Sequence, residues 1–173
     1  RDRLRSRGLG DVYKRQQTGS PILEEGDILL NTTLAETSDW QQVDLSVVST
    51  LRHFCIETLS SYTEDNQACI SEVDLLDDKG QPIDKTKWEV VYVSSEQADK
   101  NLGIAENLFD GDISSFWHTD PATEPGQPHR IIVDIKEIYK ISALRFKVRK
   151  GAFLSGKVKE INVYGRPQFF LFH

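Results

Sequence analysis

The chain has 173 residues, 38% hydrophobic and 28% charged, with a formal net charge of -6, enough apolar material for one globular domain with a modest core. The acidic balance argues against a general nucleic-acid binder, whose phosphate contacts need a basic face. No apolar run reaches the roughly 20 residues of a membrane-spanning helix. The charge is uneven: residues 1–16 (RDRLRSRGLGDVYKRQ) are net basic and have one aromatic and no apolar periodicity. They read as a non-native, adaptor-derived segment, the rival being a basic arm for nucleic acid or anionic lipid. Methionine is absent even at position 1, which predicts a fragment of a longer protein, so the lack of a signal peptide says nothing about export.

Residues 17–27 (QTGSPILEEGD), broken by Gly19, Pro21 and Gly26, read as a linker. From residue 28 onward the pattern is strands and turns. Leu51–Leu59, Cys69–Leu76, Trp88–Val93, Arg130–Ile135, Ile141–Val148 and Val158–Tyr164 are short and rich in β-branched and aromatic residues. Leu144, Phe146 and Val148 alternate with Arg145 and Lys147, the period of a strand with one face buried. Turn clusters such as DDKGQP, DPATEPGQP and KGAFLSG separate the segments. The expected fold is all-β, an antiparallel jelly-roll sandwich, with at most a helical turn near Ala105–Leu108. Cys55 and Cys69 fit no zinc or haem spacing and read as two small buried hydrophobes; a bridge requires their strands to pair in an exported protein.

The run Ala105–Thr119 (AENLFDGDISSFWHT) carries the most chemistry. Asp110-Gly111-Asp112 with Ser115 gathers hard oxygen donors in a tight loop, a set that suits Ca²⁺; the competing reading is a plain Asp-Gly turn. No G-x-S-x-G, H-E-x-x-H or phosphate-loop pattern occurs, so no hydrolysis is expected of this chain.

After this loop come Pro128-His129-Arg130-Ile131-Ile132-Val133-Asp134-Ile135, then Ile141-Ser142-Ala143-Leu144-Arg145-Phe146, then Lys159-Glu160-Ile161-Asn162-Val163-Tyr164. In order and spacing, residues 88–164 resemble the coagulation factor V/VIII type C (discoidin) domains and, within them, carbohydrate-binding module family 32, a galactose-binding-like fold. One departure is Lys136, where the family usually has a glycine. Arg52-His53-Phe54 and Ala68-Cys69-Ile70-Ser71-Glu72-Val73 resemble the family's last two strands but precede the loop. Either 28–79 is the tail of an upstream module and 88–173 the head of a truncated second one, or 28–173 is one module in permuted order (28–79 the final-strand-like part, 80–173 the calcium-loop part); the second reading is preferred, since the parts sum to about one domain.

The resemblance implies a non-catalytic carbohydrate-binding appendage of a larger exported bacterial glycoside hydrolase, secreted, periplasmic or at the cell surface. It implies structural Ca²⁺ held by Asp110, Asp112, Ser115 and Glu72. For a galactose-type glycan it implies a shallow site at one end of the sandwich with His118 and Arg149. Gln97 stands where the family has a glutamate and Pro121 where it often has a stacking aromatic, which makes Phe153 the substitute platform. Structural readings stand beside these: His118 as an internal hydrogen-bonding residue, Arg149 paired with Glu96 or Asp120, His129 orienting a loop, and Trp88 and Trp117 as core. Two other functions remain open, a β-sandwich that only packs on a glycoside hydrolase and a cell-surface or lipid adhesion module. Phe169-Phe170-Leu171-Phe172 reads as a last strand or packing tail, or else as an exposed ligand patch.

Overall fold

The computed structural model describes residues 19–122, 126–149 and 155–173. Among these there is no α-helix, and no helix long and apolar enough to cross a membrane. The strands are β1 (Ile28–Thr33), β2 (Gln41–Thr58), β3 (Cys69–Asp77), β4 (Glu89–Val93), β5 (Trp117–His118), β6 (His129–Val148) and β7 (Glu160–Arg166). All pairings between them are antiparallel. The strands run β1-β7-β2-β6-β3-β5, with β4 on the first half of β6.

Two long strands, β2 and β6, make this sheet into a sandwich. Their pairing slips between Asp44 and Ser49 and again between Leu51 and His53. Opposite the second slip, Lys136 takes φ 75° and the chain at 136–138 is exposed. Below this bend, residues 129–134 of β6 pair with His53–Thr58 and with β4. Above it, residues 140–148 pair with the start of β2 and with β3. One leaf supplies Phe54, Ile56, Ile131, Val133, Ile161 and Val163, the other Val73, Leu75, Leu144 and Phe146, to a single buried cluster. Each fully buried side chain of this size contributes about 1.5–3 kcal/mol.

The patterning of β6 follows from what covers it. Ile131–Ile135 is buried at every position, as expected for a strand covered on both faces. The inner face meets the core, while Ile132 and Cys55 on the outer face lie under Phe170, Phe172 and Leu23. The segment 20–22 pairs with the C-terminal tail through Ile22 N–H to Leu171 C=O (2.7 Å) and His173 N–H to Ser20 C=O (3.1 Å). The phenylalanine-rich tail is thus a packing tail with one bridge, Phe172 to Pro21, and with Phe169 and Leu171 turned outward. Above the bend, Leu144, Phe146 and Val148 are buried while Arg145 and Lys147 are only half-buried, as their alternation predicts. The two Ile/Val-rich segments read as separate strands are one, because Lys136 supplies the bend that the family's glycine would make. Trp117 and Trp88 are core residues, and Cys55 and Cys69 are buried free thiols. Burial drives both thiol pKa values far upward, Cys69 to about 12.

Candidate ligand-binding end and cation loop

One end of the sandwich collects the connections 34–40, 59–68 and 94–116 and the described parts of 119–128 and 149–159, because β2 and β4 run antiparallel to β6 and β7 runs antiparallel to β2. Gln97 and His118 face each other there. The Gln97 N–H donates to His118 C=O at 2.8 Å, and the His118 N–H donates to Gly103 C=O at 3.0 Å. Gly103 fits between them because it has no side chain: a Cβ there would lie 2.9 Å from that of His118 and 3.0 Å from that of Gln97. Trp117 anchors the segment from below, its indole N–H donating to Ser95 C=O at 3.0 Å.

His118 is 2% exposed. Its Nδ1 meets Thr119 C=O and its Nε2 lies 2.7 Å from the Ser155 hydroxyl. Burial, with a contribution from Arg149, lowers its pKa. The neutral ring therefore donates from Nδ1–H to Thr119 and accepts the Ser155 hydroxyl at Nε2. Arg149 stacks its guanidinium 4.2 Å from the centre of the Phe116 ring, and that ring stands edge-on to His118 at 6.3 Å. The carboxylates that sequence offered to Arg149 are engaged elsewhere. Glu96 accepts the Ala105 N–H, which tethers the 3-10 turn Ala105–Phe109, and Asp120 accepts the Ala122 N–H. His129 holds a loop through Asn66 C=O at 2.7 Å. The structure thus brings Gln97, His118 and Arg149 together, while Phe153 lies outside the described residues. Phe116 and Ser155, the partners of Arg149 and His118, were not singled out from sequence; the aromatic directly before Trp117-His118 was the available signal.

The second feature is the loop after this 3-10 turn. Gly111 takes φ 79°, a conformation natural to glycine, and its N–H donates to Glu72 Oε2 at 3.0 Å across 39 positions of sequence. The Ser115 hydroxyl donates to the Asp110 carboxylate, and the Asp112 N–H donates to Asp110 Oδ1 at 2.9 Å. Glu72, Asp110 and Ser115 are therefore gathered at one place. Asp112 is turned away, accepting the Ser114 N–H at 2.9 Å and the Ser114 hydroxyl at 2.6 Å. With Asp112 outside the set, no group of three or more His, Cys, Asp or Glu side chains with metal-holding geometry occurs among the described residues.

Glu72 is 1% exposed. Burial pushes its carboxyl up to about 7, opposed by Lys85 and the Gly111 N–H and assisted by Asp110. Its Oε1 is buried without a hydrogen-bond partner. Its other oxygen meets the ammonium of Lys85, which also contacts Asp74 and donates to Val73 C=O at 3.1 Å. An orphaned carboxylate oxygen beside Asp110 and a serine hydroxyl is a donor set that fits a hard cation. Lys85 already supplies one positive charge, at the same Oε2 that accepts the Gly111 N–H. It was missed from sequence, where it lies between the DDKGQP turn and the strand beginning at Trp88 and was given no role; two acids at 72 and 74 on one strand were the sign that a cation was needed.

Fold and loops together define a galactose-binding-like β-sandwich, a non-catalytic binding-module type. The F5/8 type C domain family model matches residues 90–168, so this part of the chain is of F5/8 type C (discoidin) kind. A sialidase from Micromonospora viridifaciens is 33% identical over 84 residues, which are 47% of this chain and 13% of that protein.

Proposed function

We propose that the chain is a calcium-stabilised carbohydrate-binding module that tethers a secreted bacterial glycan-degrading enzyme to its substrate. The observation that supports this best is the convergence of Gln97, His118 and Arg149 on the loop end of a segment matched by the F5/8 type C model. Arg149 on Phe116 offers directed donors beside an apolar edge, the combination a sugar ring needs. A galactose-type glycan is the first candidate. The benefit is effective concentration, since even weak binding by a tethered module raises the rate of substrate encounter. Residues 28–173 are read as one module in permuted order, with β2 and β3 flanking β6. Glu72 and Asp110 would hold the calcium, aided by the Ser115 hydroxyl, and the ion would fix the loop's position on β3.

A glycan array, run with calcium and with EDTA, tests the reading: galactosides should bind, and Arg149→Ala should abolish binding while keeping the melting temperature. One observation favours a second reading, a sandwich that only packs on a catalytic domain. His118 is buried with both ring nitrogens engaged, so it reaches a ligand only if Ser155 gives way. Silence across galactosides, hexosamines and uronates would select that alternative.

A further inference from the structure

A second concavity opens beside Arg149, away from Gln97. It has a volume of about 240 Å³ and is lined by residues 35–38, Tyr62, Val148, Arg149, Lys157 and Val158. Its floor is apolar, since Val148 and Val158 are both buried. Tyr62 forms an aromatic wall, fixed by its hydroxyl donating to Leu34 C=O at 2.6 Å. Thr37 and Ser38 add hydroxyls. The Lys147 ammonium donates to Ser38 C=O at 2.6 Å and holds this loop in place.

The charge of the pocket runs against that of the protein. Lys147 lies near the end of β6 and Arg149 one residue past it; Arg149 lines the pocket, and Lys157 closes it from the next connection. Arg149 and Lys157 are half-buried, yet among the described residues neither forms an ion pair. The one carboxylate of the lining, Glu36, sits on the exposed rim. Two partly desolvated cations without a carboxylate favour an anion that brings its own. The size, the aromatic wall and the hydroxyls suit one sugar ring. We infer that this pocket takes a carboxylated sugar residue, a uronic-acid unit of an acidic glycan, with Lys157 and Arg149 on the carboxylate and Tyr62 against the ring.

This rests on the carbohydrate-binding reading and narrows it to acidic glycans. The test is calorimetric titration of the intact chain with trigalacturonic acid and with galactotriose, which differ in the carboxylates. The acidic trimer should bind about tenfold more tightly, the low end for one charge-assisted hydrogen bond. That preference should shrink in about 0.5 M salt, which screens partly exposed charges. Lys157→Ala should bring the ratio of the two affinities close to one, and Lys157→Arg should restore it; unchanged melting temperatures exclude misfolding. Equal affinities in the wild type, or a ratio untouched by Lys157→Ala, would overturn the inference and leave carbohydrate binding standing. Failure of both trimers and of every neutral glycan would remove both.

Discussion

Replacing Lys85 by Met keeps the aliphatic stem and removes the charge that faces Glu72. The ion pair is buried, with side-chain exposures of 17% for Lys85 and 2% for Glu72. Well above pH 7, where Glu72 is ionised, removing one partner of such a pair leaves an uncompensated carboxylate and costs about 3–5 kcal/mol. In a domain of this size each kcal/mol moves the melting temperature by about 2–4 °C, so Lys85→Met in EDTA should melt about 6–20 °C below the wild type. The double variant Lys85→Met/Glu72→Gln should recover most of that loss, because the buried charge itself is then gone. Calcium should stabilise Lys85→Met more than the wild type, since nothing else then neutralises Glu72. Differential scanning calorimetry of the three proteins with EDTA and with calcium reads all of this. A Lys85→Met protein that melts with the wild type in EDTA, or a double variant in which the two losses add, would show that Lys85 does not neutralise Glu72.

Three further outcomes follow from other residues. Lys136→Gly should raise stability by up to about 1 kcal/mol in urea unfolding. The left-handed backbone at φ 75° costs a non-glycine residue about 1–2 kcal/mol, and the partly exposed ion pair with Glu89 that is lost is worth about 1 kcal/mol at most. Burial lowers the His53 and His118 pKa values. At these two sites the folded state therefore binds fewer protons than the unfolded chain below about pH 6.5, and their contribution to stability should fall as pH drops through that value, while Glu72, raised to about 7, acts in the opposite sense. His53→Leu should flatten this acid limb in urea midpoints compared at pH 7.5 and 5.5; an unchanged slope would rule His53 out. Asp110→Ala should abolish any calcium-dependent rise in melting temperature, whereas Asp112→Ala should retain most of it, because only Asp110 lies with Glu72.

Sequence resolved the elements whose burial has a local period and lost those whose burial depends on distant chain. Leu144, Phe146 and Val148 alternate with cations and were legible directly. β1 and the first half of β2 were not: β1 is defined by pairing with β7, as in Thr33 opposite Glu160, and its six residues show no clean alternation. The bend at Lys136 was visible only as a departure from a family glycine. In the site, the meeting of Glu72 with the Asp110–Asp112 loop followed from resemblance, since 39 positions separate Glu72 from the Gly111 N–H it accepts. The orientation of Asp112 toward Ser114, the ammonium of Lys85 and the burial of His118 are set by three-dimensional packing, and the residue order carries no trace of them. The cationic pocket escaped notice for the same reason: its walls come from residues 35–38, 62, 148–149 and 157–158, brought together only when β2 pairs with both β6 and β7.

The loop end around Gln97, His118 and Arg149 is proposed as a sugar-binding face. Amide chemical-shift mapping of the isotope-labelled chain, titrated with galactosides and oligouronides, tests it most directly. Saturable shifts should be confined to residues 95–118, Arg149 and the adjoining 35–38 loop, and should disappear in Arg149→Ala. A spectrum indifferent to every glycan, or shifts clustered instead around the 136–138 bend at the opposite end, would contradict it.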